Sequence, residues 1–335
     1  MNYKHFIGID VSKQTLDLCV MQQNQKVFSL TISNSEKELK LFWKQLLKQC
    51  PHFDGEQAIF CMEHTGIYNN FILDFLLSKH VAICLENPTQ IKYSNGMQRG
   101  KNDKIDAERI ALYAYKEREN LKTWQPPRTV IKLLKHLSVL RTRLLNSKKA
   151  LSAPLKELSS FDKQAAKAIE PLTRSTLRQI DNDLQKIELR IQEIINSDDT
   201  LKRLFKITTS ISGVGKVTAW EVIICTNEFK TINNAQKFAC YAGVAPFEHS
   251  SGTSVRGKTR VSHKANKHIK SLLHMGAIAA ISANTDLKTF YQRKVEEGKN
   301  KMSVINAVRN KLIHRIFACV RGNRLYQNNF NISLA

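Results

Sequence analysis

The 335-residue chain is 42% hydrophobic and carries 52 Lys and Arg against 29 Asp and Glu, a formal charge of +23. That length and apolar content can fill the cores of two domains, and so large a surplus of one sign repels itself unless a polyanion is the partner, which points to nucleic acid. Basic residues run through the whole chain instead of decorating one amphipathic helix, which argues against a membrane surface, and no run approaches the ~18 apolar residues of a membrane span.

The seven cysteines, Cys19, Cys50, Cys61, Cys84, Cys225, Cys240 and Cys319, are odd in number, scattered and never spaced as Cys-x-x-Cys. Neither a disulfide framework nor a zinc site is written in them. The N-terminus has no apolar signal region, so the expected setting is reducing and cytoplasmic.

In chain order, Phe6 to Val11 is a short apolar run, Thr15 to Met21 alternates Leu16, Leu18 and Val20 with Asp17 and Cys19, and Val27 to Ile32 follows a turn at Gln23 to Gln25. These read as three consecutive strands. Asn34 and Ser35 offer caps for a helix over Glu36 to Gln49, whose Leu39, Phe42, Leu46 and Leu47 fall at helical spacing. A strand at Ala58 to Met62, a helix around Phe71 to Lys79, a strand at Val81 to Leu85 and a Pro88-punctuated connection lead into a polar stretch ending at Asp103. Three strands, a helix, then alternating strands and helices is the order of an α/β RNase H-like (RuvC-like) domain, assigned to residues 1–120.

Trp124-Gln-Pro-Pro127 breaks the chain. A helical, coiled-coil region over 121–200 follows, with interruptions expected around Pro154 and Pro171. Within it Leu177, Ile180, Leu184, Ile187, Ile191 and Ile194 step by 3, 4, 3, 4, 3, a heptad seam that serves either self-association or an intramolecular helical hairpin. Residues 201–335 read as a mainly α domain. It opens on Ile211-Ser-Gly-Val-Gly-Lys-Val-Thr-Ala219, which resembles a helix-hairpin-helix turn whose backbone N–H groups hold a phosphate. A structural helix-turn-helix explains the same residues, and the spacing excludes a Walker A loop.

Four acids stand out. Asp10 ends one apolar strand, Glu63 ends another before the turn His64-Thr-Gly66, and Asp103 and Asp106 lie three apart in Lys101-Asn-Asp-Lys-Ile-Asp-Ala-Glu-Arg109. If that stretch starts a helix, the two aspartates share one face. Converging carboxylates would repel one another without a cation and suit a pair of Mg2+ ions, which favour hard oxygen ligands. Taken singly, each acid has a structural explanation, Asp10 as a turn residue and Asp103 as an N-cap with Asp106 in the first turn. Glu86 and Glu108 compete for the metal role and rank lower, Glu86 because it precedes Asn-Pro in a turn and Glu108 because it lies on another helical face.

Tyr241-Ala-Gly-Val-Ala-Pro246 leads to Ser250-Ser-Gly-Thr-Ser-Val-Arg-Gly-Lys258, and from Ser251 to Lys270 there are six Lys or Arg and no acid. A serine beside Arg256, Lys258 and Arg260 is suited to attack phosphorus, since those cations stabilise the developing charge. A basic loop that merely contacts phosphate accounts for the same residues. His249 reads as a phosphate or packing contact ahead of a base. No Gly-x-Ser-x-Gly elbow supports ester hydrolysis.

Gly8-Ile-Asp-Val-Ser-Lys13, Glu63-His-Thr-Gly66, Asn87-Pro88, Lys101-Asn-Asp-Lys-Ile-Asp-Ala107, Gly213-Val-Gly215, Gly243-Val-Ala-Pro246 and Ser251-Gly252 occur in this order over most of the chain. Together they resemble the bridge-RNA-guided DEDD transposases, a family that includes the Piv-type DNA invertases. The resemblance implies a RuvC-like domain whose tetrad falls on Asp10, Glu63, Asp103 and Asp106 and binds Mg2+ or Mn2+. It also implies a transposase domain whose nucleophile falls on Ser251, the serine preceding the glycine, with Ser250 and Ser254 as alternatives.

A covalent phosphoserine intermediate with double-stranded DNA, a structured guide RNA and assembly as a homodimer or homotetramer follow from the same likeness. The expected nucleic-acid contacts are Lys13, Lys101, Lys104, Gly213, Gly215, Lys216, Arg256, Lys258, Arg260, Lys264 and Lys267. Asn102, where the family usually has Thr, and His64, where a small residue is common, are departures that remove no chemical group the mechanism needs. Beside recombination stand two other readings: a RuvC-like nuclease or junction resolvase in which water attacks, and a non-catalytic nucleic-acid-binding protein. The residues do not separate transposition from inversion.

Overall fold

Apolar residues at alternate positions give a strand two faces to cover, and the N-terminal part of the chain covers both. The computed structural model describes residues 3–94, 103–245, 247–251, 255–260, 265–283 and 285–327; of residues 103, 104, 247–251, 255–260 and 285 it describes the backbone. These residues fall into two units, Met1–Pro126 and Pro127–Ala335.

In the first unit β1 (His5–Val11), β2 (Thr15–Gln22) and β3 (Gln25–Ser33) form an antiparallel meander, and β4 (Ala58–Glu63) and β5 (Ala82–Glu86) extend it parallel to β1, in the order β3-β2-β1-β4-β5. This is the RNase H-like arrangement that the pattern of elements predicts. Between β3 and β4 runs α1 (Glu36–Gln49), and between β4 and β5 runs α2 (Asn70–Ser78). The helix α1 begins where Ser35 accepts a hydrogen bond from the Glu38 amide, with Glu36 and Glu38 favourably placed in its first turn. Asn34, the other expected cap, instead donates to the carbonyls of Ser12 and Tyr68, each at 3.0 Å.

Two further helices, α3 (Pro88–Ser94) and α4 (Asp103–Lys116), complete the unit. Ile7, Ile9, Val11, Phe60 and Met62 pack on one side of the sheet with Leu39, Phe42 and Leu46 of α1 and Ile72 and Leu76 of α2. The intervening residues Phe6, Cys19, Cys61 and Cys84 pack on the other side with Ala107, Ile110, Ala111 and Ala114 of α4. At the centre of that second face is Gly8. A Cβ there would lie 2.1 Å from the Ala107 carbonyl oxygen and 2.3 Å from the Ala111 amide nitrogen, so the absence of a side chain lets the α4 backbone rest directly on β1.

The second unit begins with α5 (Thr129–Phe161) and α6 (Lys163–Asn196). Arg141 pairs with Glu188 and Lys148 with Asp181, a register that only antiparallel neighbours produce. Ile187, Ile191 and Ile194 of the seam are buried with Ile131 and Leu134 of α5 and with Leu201, Leu204, Trp220 and Ile223, so this part of the seam is used within the chain. The expected breaks at the prolines do not occur, since Pro154 lies inside α5 and Pro171 inside α6. Each proline forfeits one helical hydrogen bond on an exposed face. The break falls at Asp162, whose carboxylate caps α6 by accepting from the Ala165 amide at 2.9 Å.

Beyond the hairpin come α7 (Asp199–Thr209), α8 (Lys216–Cys225), α9 (Ala235–Tyr241), the strands β6 (Phe247–Ser251) and β7 (Val255–Arg260), and α10 (Lys267–Ala283), α11 (Thr285–Glu296) and α12 (Lys301–Arg321). Their core gathers Phe238, Leu273, Ala277, Leu312 and Ile316. Among the described residues no helix is long and apolar enough to cross a membrane.

Arg128, just before α5, ties this unit together. It donates to Asp198, the cap of α7, and to Glu228, whose side chain is 1% exposed. Glu228 sits in a run of three left-handed residues, Asn227, Glu228 and Phe229, with φ of 47°, 59° and 63°, a conformation that costs about 1–2 kcal/mol per residue. The Arg128 bond holds the Asp198 carboxyl below the usual carboxylate range. At Glu228 burial would raise the carboxyl, but bonds from Arg128 and Lys230 outweigh it and hold it low as well.

Two outcomes follow. Gly8→Ala should destabilise the first unit by about 3 kcal/mol or more, because helix backbone cannot yield as a side chain does; urea denaturation followed by circular dichroism measures it. Arg128→Ala leaves Glu228 buried without its main partner and should cost the second unit about 3 kcal/mol at neutral pH. Because both carboxyls titrate below their unfolded values, this contribution is complete above the unfolded pKa and lost as pH falls through the folded one. The gap between wild type and variant should therefore narrow on acidification, read as urea midpoints across pH.

Candidate active site

Strand alternation decides which acids meet. Gly8 and Asp10 lie two apart on β1, Cys61 and Glu63 two apart on β4, and Gly8 pairs with Cys61 in the parallel register. Asp10 and Glu63 therefore end neighbouring strands on the face that α4 covers. Asp106 precedes Ala107, the residue whose carbonyl rests over Gly8.

The electrostatics report the same convergence. Partial burial raises the Glu63 carboxyl above the usual carboxylate range, and the negative charges of Asp10 and Asp106 raise it further. Asp106 accepts a hydrogen bond from Arg109 at 2.6 Å, one turn along α4. Asp103 is the first residue of α4, and its side chain lies outside the described residues.

The competing acids are engaged elsewhere. Glu86 accepts from the Tyr113 hydroxyl at 3.2 Å and from the Asn87 amide at 2.9 Å, and Glu108 pairs with Lys26 at 2.6 Å. A carboxylate raised by burial and by the charges of two neighbouring acids supplies hard oxygens of the kind that suit a divalent cation. Among the described residues, however, no group of three or more His, Cys, Asp or Glu is drawn closely enough together to hold one.

Two residues of this region carry signals that sequence reading did not use. Asp17 is 7% exposed, stands opposite Asp10 in the β1–β2 register and accepts from the Thr31 hydroxyl at 2.5 Å. Its clue was an acid among the inward positions of an apolar strand. Asn69, 1% exposed, fixes the turn after Glu63: its amide donates to the Glu63 carbonyl at 3.0 Å, and its oxygen accepts from the Thr65 amide at 2.7 Å and hydroxyl at 2.9 Å. Nothing in the sequence distinguished this asparagine from an ordinary helix-start residue.

In the second unit the serine segment is a strand pair. Ser251 ends β6 opposite Val255, and Ser250 stands opposite Arg256, while Arg256, Lys258 and Arg260 all belong to β7. Their side chains, with Lys101, Gly252, Ser254 and Lys264, lie outside the described residues, and Lys104 is described as backbone within α4. The approach to this hairpin is anchored by Asn306 of α12, whose amide donates to the Val244 carbonyl at 2.8 Å. Arg309, 6% exposed, bonds the Asn306 oxygen at 3.3 Å and His274 Nδ1 at 2.6 Å.

Gly213 adopts φ of +89°, and a Cβ on it would lie 2.4 Å from the Gly276 carbonyl oxygen, so it lets the α7–α8 turn pack on α10. Gly215 starts α8 with no side-chain cap. Lys13, Lys216 and Lys267 are exposed.

A mixed sheet in this order, with acids at the ends of its two central parallel strands and on the covering helix, defines an RNase H-like nucleic-acid-processing domain. Two family models match the chain. One, described as "Transposase" and of the IS110 DEDD type, covers residues 7–161, and the other, "Transposase IS116/IS110/IS902 family", covers 206–292.

The pilin gene-inverting proteins of Moraxella bovis and Moraxella lacunata are each 27% identical over 325 residues, covering 96% of this chain and 97% of their own. A Streptomyces coelicolor protein of insertion element IS110 is 26% identical over 160 residues, 48% of this chain and 38% of its own. The solved T. thermophilus RuvC in complex with a Holliday junction substrate aligns with 36% of this chain and 100% of its own at 16% identity and a TM-score of 0.29, and the fold assignment rests on the strand order, not on that overlay. The chain belongs to the IS110-type transposase family that also takes in the Piv-type inverting proteins, and it is a DNA transposase or recombinase.

If the acids oppose one another, Glu63→Gln should leave the metal-free protein equally stable or more stable, by a few tenths to about 1 kcal/mol after solvent screening, while abolishing DNA cleavage. Urea denaturation in chelator and a strand-cleavage assay give the two readings. A clear loss of stability would mean that Glu63 holds the fold instead.

Proposed function

We propose that this chain cuts and rejoins DNA site-specifically, with Ser251 as nucleophile and Asp10, Glu63, Asp103 and Asp106 as metal-holding acids. The observation that carries the reading is the raised Glu63 carboxyl, which faces Asp10 and Asp106 in a chain whose formal charge is +23. Carboxylates held against one another in a basic protein are costly unless they serve a cation.

The four acids would hold Mg2+ or Mn2+. Bound there, such an ion supplies Lewis-acid polarisation of the phosphodiester and neutralises charge on it. The chain's own steps are these. Ser251 Oγ gives up its proton and forms a bond to phosphorus, the bond from phosphorus to one deoxyribose oxygen breaks, and that oxygen takes up a proton as a free strand end. Attack by another strand end on the phosphoserine reverses the exchange and restores the serine. Arg256, Lys258 and Arg260 on β7 would hold the phosphate and offset its developing charge.

Lys13, Lys101, Lys104, Lys216, Lys264 and Lys267, with the backbone of Gly213 and Gly215, would follow the nucleic-acid backbone. A structured guide RNA and assembly as a homodimer or homotetramer complete the reading, supported by the family likeness and the basic charge.

Ser251→Ala should lose the protein–DNA adduct trapped by denaturation while DNA binding changes less than threefold. An adduct that persists in this variant would assign the bond to Ser250 or Ser254. Cleavage to free ends with no adduct in the wild-type protein would favour a metal-dependent nuclease that uses water.

A further inference from the structure

Three large apolar side chains stand in water beside the acids. Ile67, Tyr68 and Phe71 are 64%, 39% and 58% exposed, although burying each would gain about 1.5–3 kcal/mol. The fold holds them out. Asn69 is locked inward by its three bonds to Glu63 and Thr65, which fixes the turn Gly66–Asn69 with its neighbours directed to solvent.

Asn34 ties this turn to the one after β1, since its amide bonds both the Tyr68 and the Ser12 carbonyls. Exposed Lys13, which makes no ion pair among the described residues, follows Ser12 in the turn that Asn34 ties to the Tyr68 backbone. Both turns leave from the strand ends that carry Asp10 and Glu63.

We propose that Ile67, Tyr68 and Phe71 form a stacking platform for an unstacked base of the DNA strand, with Lys13 on its phosphate and the strand leading on to the carboxylates. The proposal rests on the recombinase reading. A base inside a duplex offers only its edges, whereas a base outside it exposes a face that aromatic side chains bind at about 1–3 kcal/mol whatever its sequence. Three side chains fall far short of the ~800 Å2 per partner of a stable protein interface, which favours a base over a second protein as the occupant.

The test uses the full chain and a short single-stranded DNA carrying the fluorescent base 2-aminopurine, beside its paired duplex and an RNA of the same sequence. Wild type should quench the probe in single-stranded DNA and leave the duplex unquenched. Tyr68→Ala/Phe71→Ala should weaken single-strand binding about 5- to 150-fold and abolish quenching at an unchanged melting temperature, and Tyr68→Trp/Phe71→Trp should retain both.

Equal binding and quenching by the alanine pair would overturn the platform, as would binding of the RNA alone. A change of oligomeric state with DNA binding intact would show a protein interface instead. Glu63→Gln should quench as wild type does. If that variant also still cut DNA, the recombinase site would be misassigned while the platform stood.

Discussion

Everything in the first unit depends on one close approach, the α4 backbone seated on Gly8 of β1. No L side chain fits between them, since a Cβ would stand 2.1 Å from a carbonyl oxygen. Because Asp106 immediately precedes the residue in contact, this seating brings its charge up to the strand ends where Asp10 and Glu63 lie. The small residues of that face, Ala107, Ala111 and Ala114 against Cys19, Cys61 and Cys84, maintain the short distance along the helix. Larger residues at these places would lift α4 and dissolve the acidic group without touching an acid.

That geometry sets like charges together in a molecule that otherwise has a large excess of positive charge. The cost is local and unevenly met: Arg109 pairs with Asp106, whereas the Glu63 carboxyl is left raised. The negative charge gathers at the ends of the interior strands β1 and β4, in a chain whose formal charge is +23.

Much of this was legible in the sequence because the strands alternate cleanly and α1 carries its own cap. Asp10 and Glu63 were visible as acids terminating apolar runs, and the spacing of Asp103 and Asp106 anticipated a helix that the structure starts at Asp103. What stayed hidden depends on tertiary partners. Pro154 and Pro171 looked like breaks because local chemistry penalises them, yet the packed hairpin carries both and the capping carboxylate of Asp162 decides where the chain turns. Arg128 could not be matched to Asp198 and Glu228, which lie 70 and 100 residues away. Nor could the serine segment, rich in glycine and cations, be told from a loop, although its backbone forms a strand pair.

The most direct test of the central claim, that α4 brings Asp106 against Asp10 and Glu63, is a titration of the Glu63 carboxyl by carbon-13 NMR in metal-free protein. The wild-type value should lie above that of an ordinary glutamate and fall back in both Asp10→Asn and Asp106→Asn, each substitution removing one neighbouring charge. A Glu63 carboxyl that titrates normally in the wild type, or one indifferent to Asp106→Asn, would mean that the acids do not share one site.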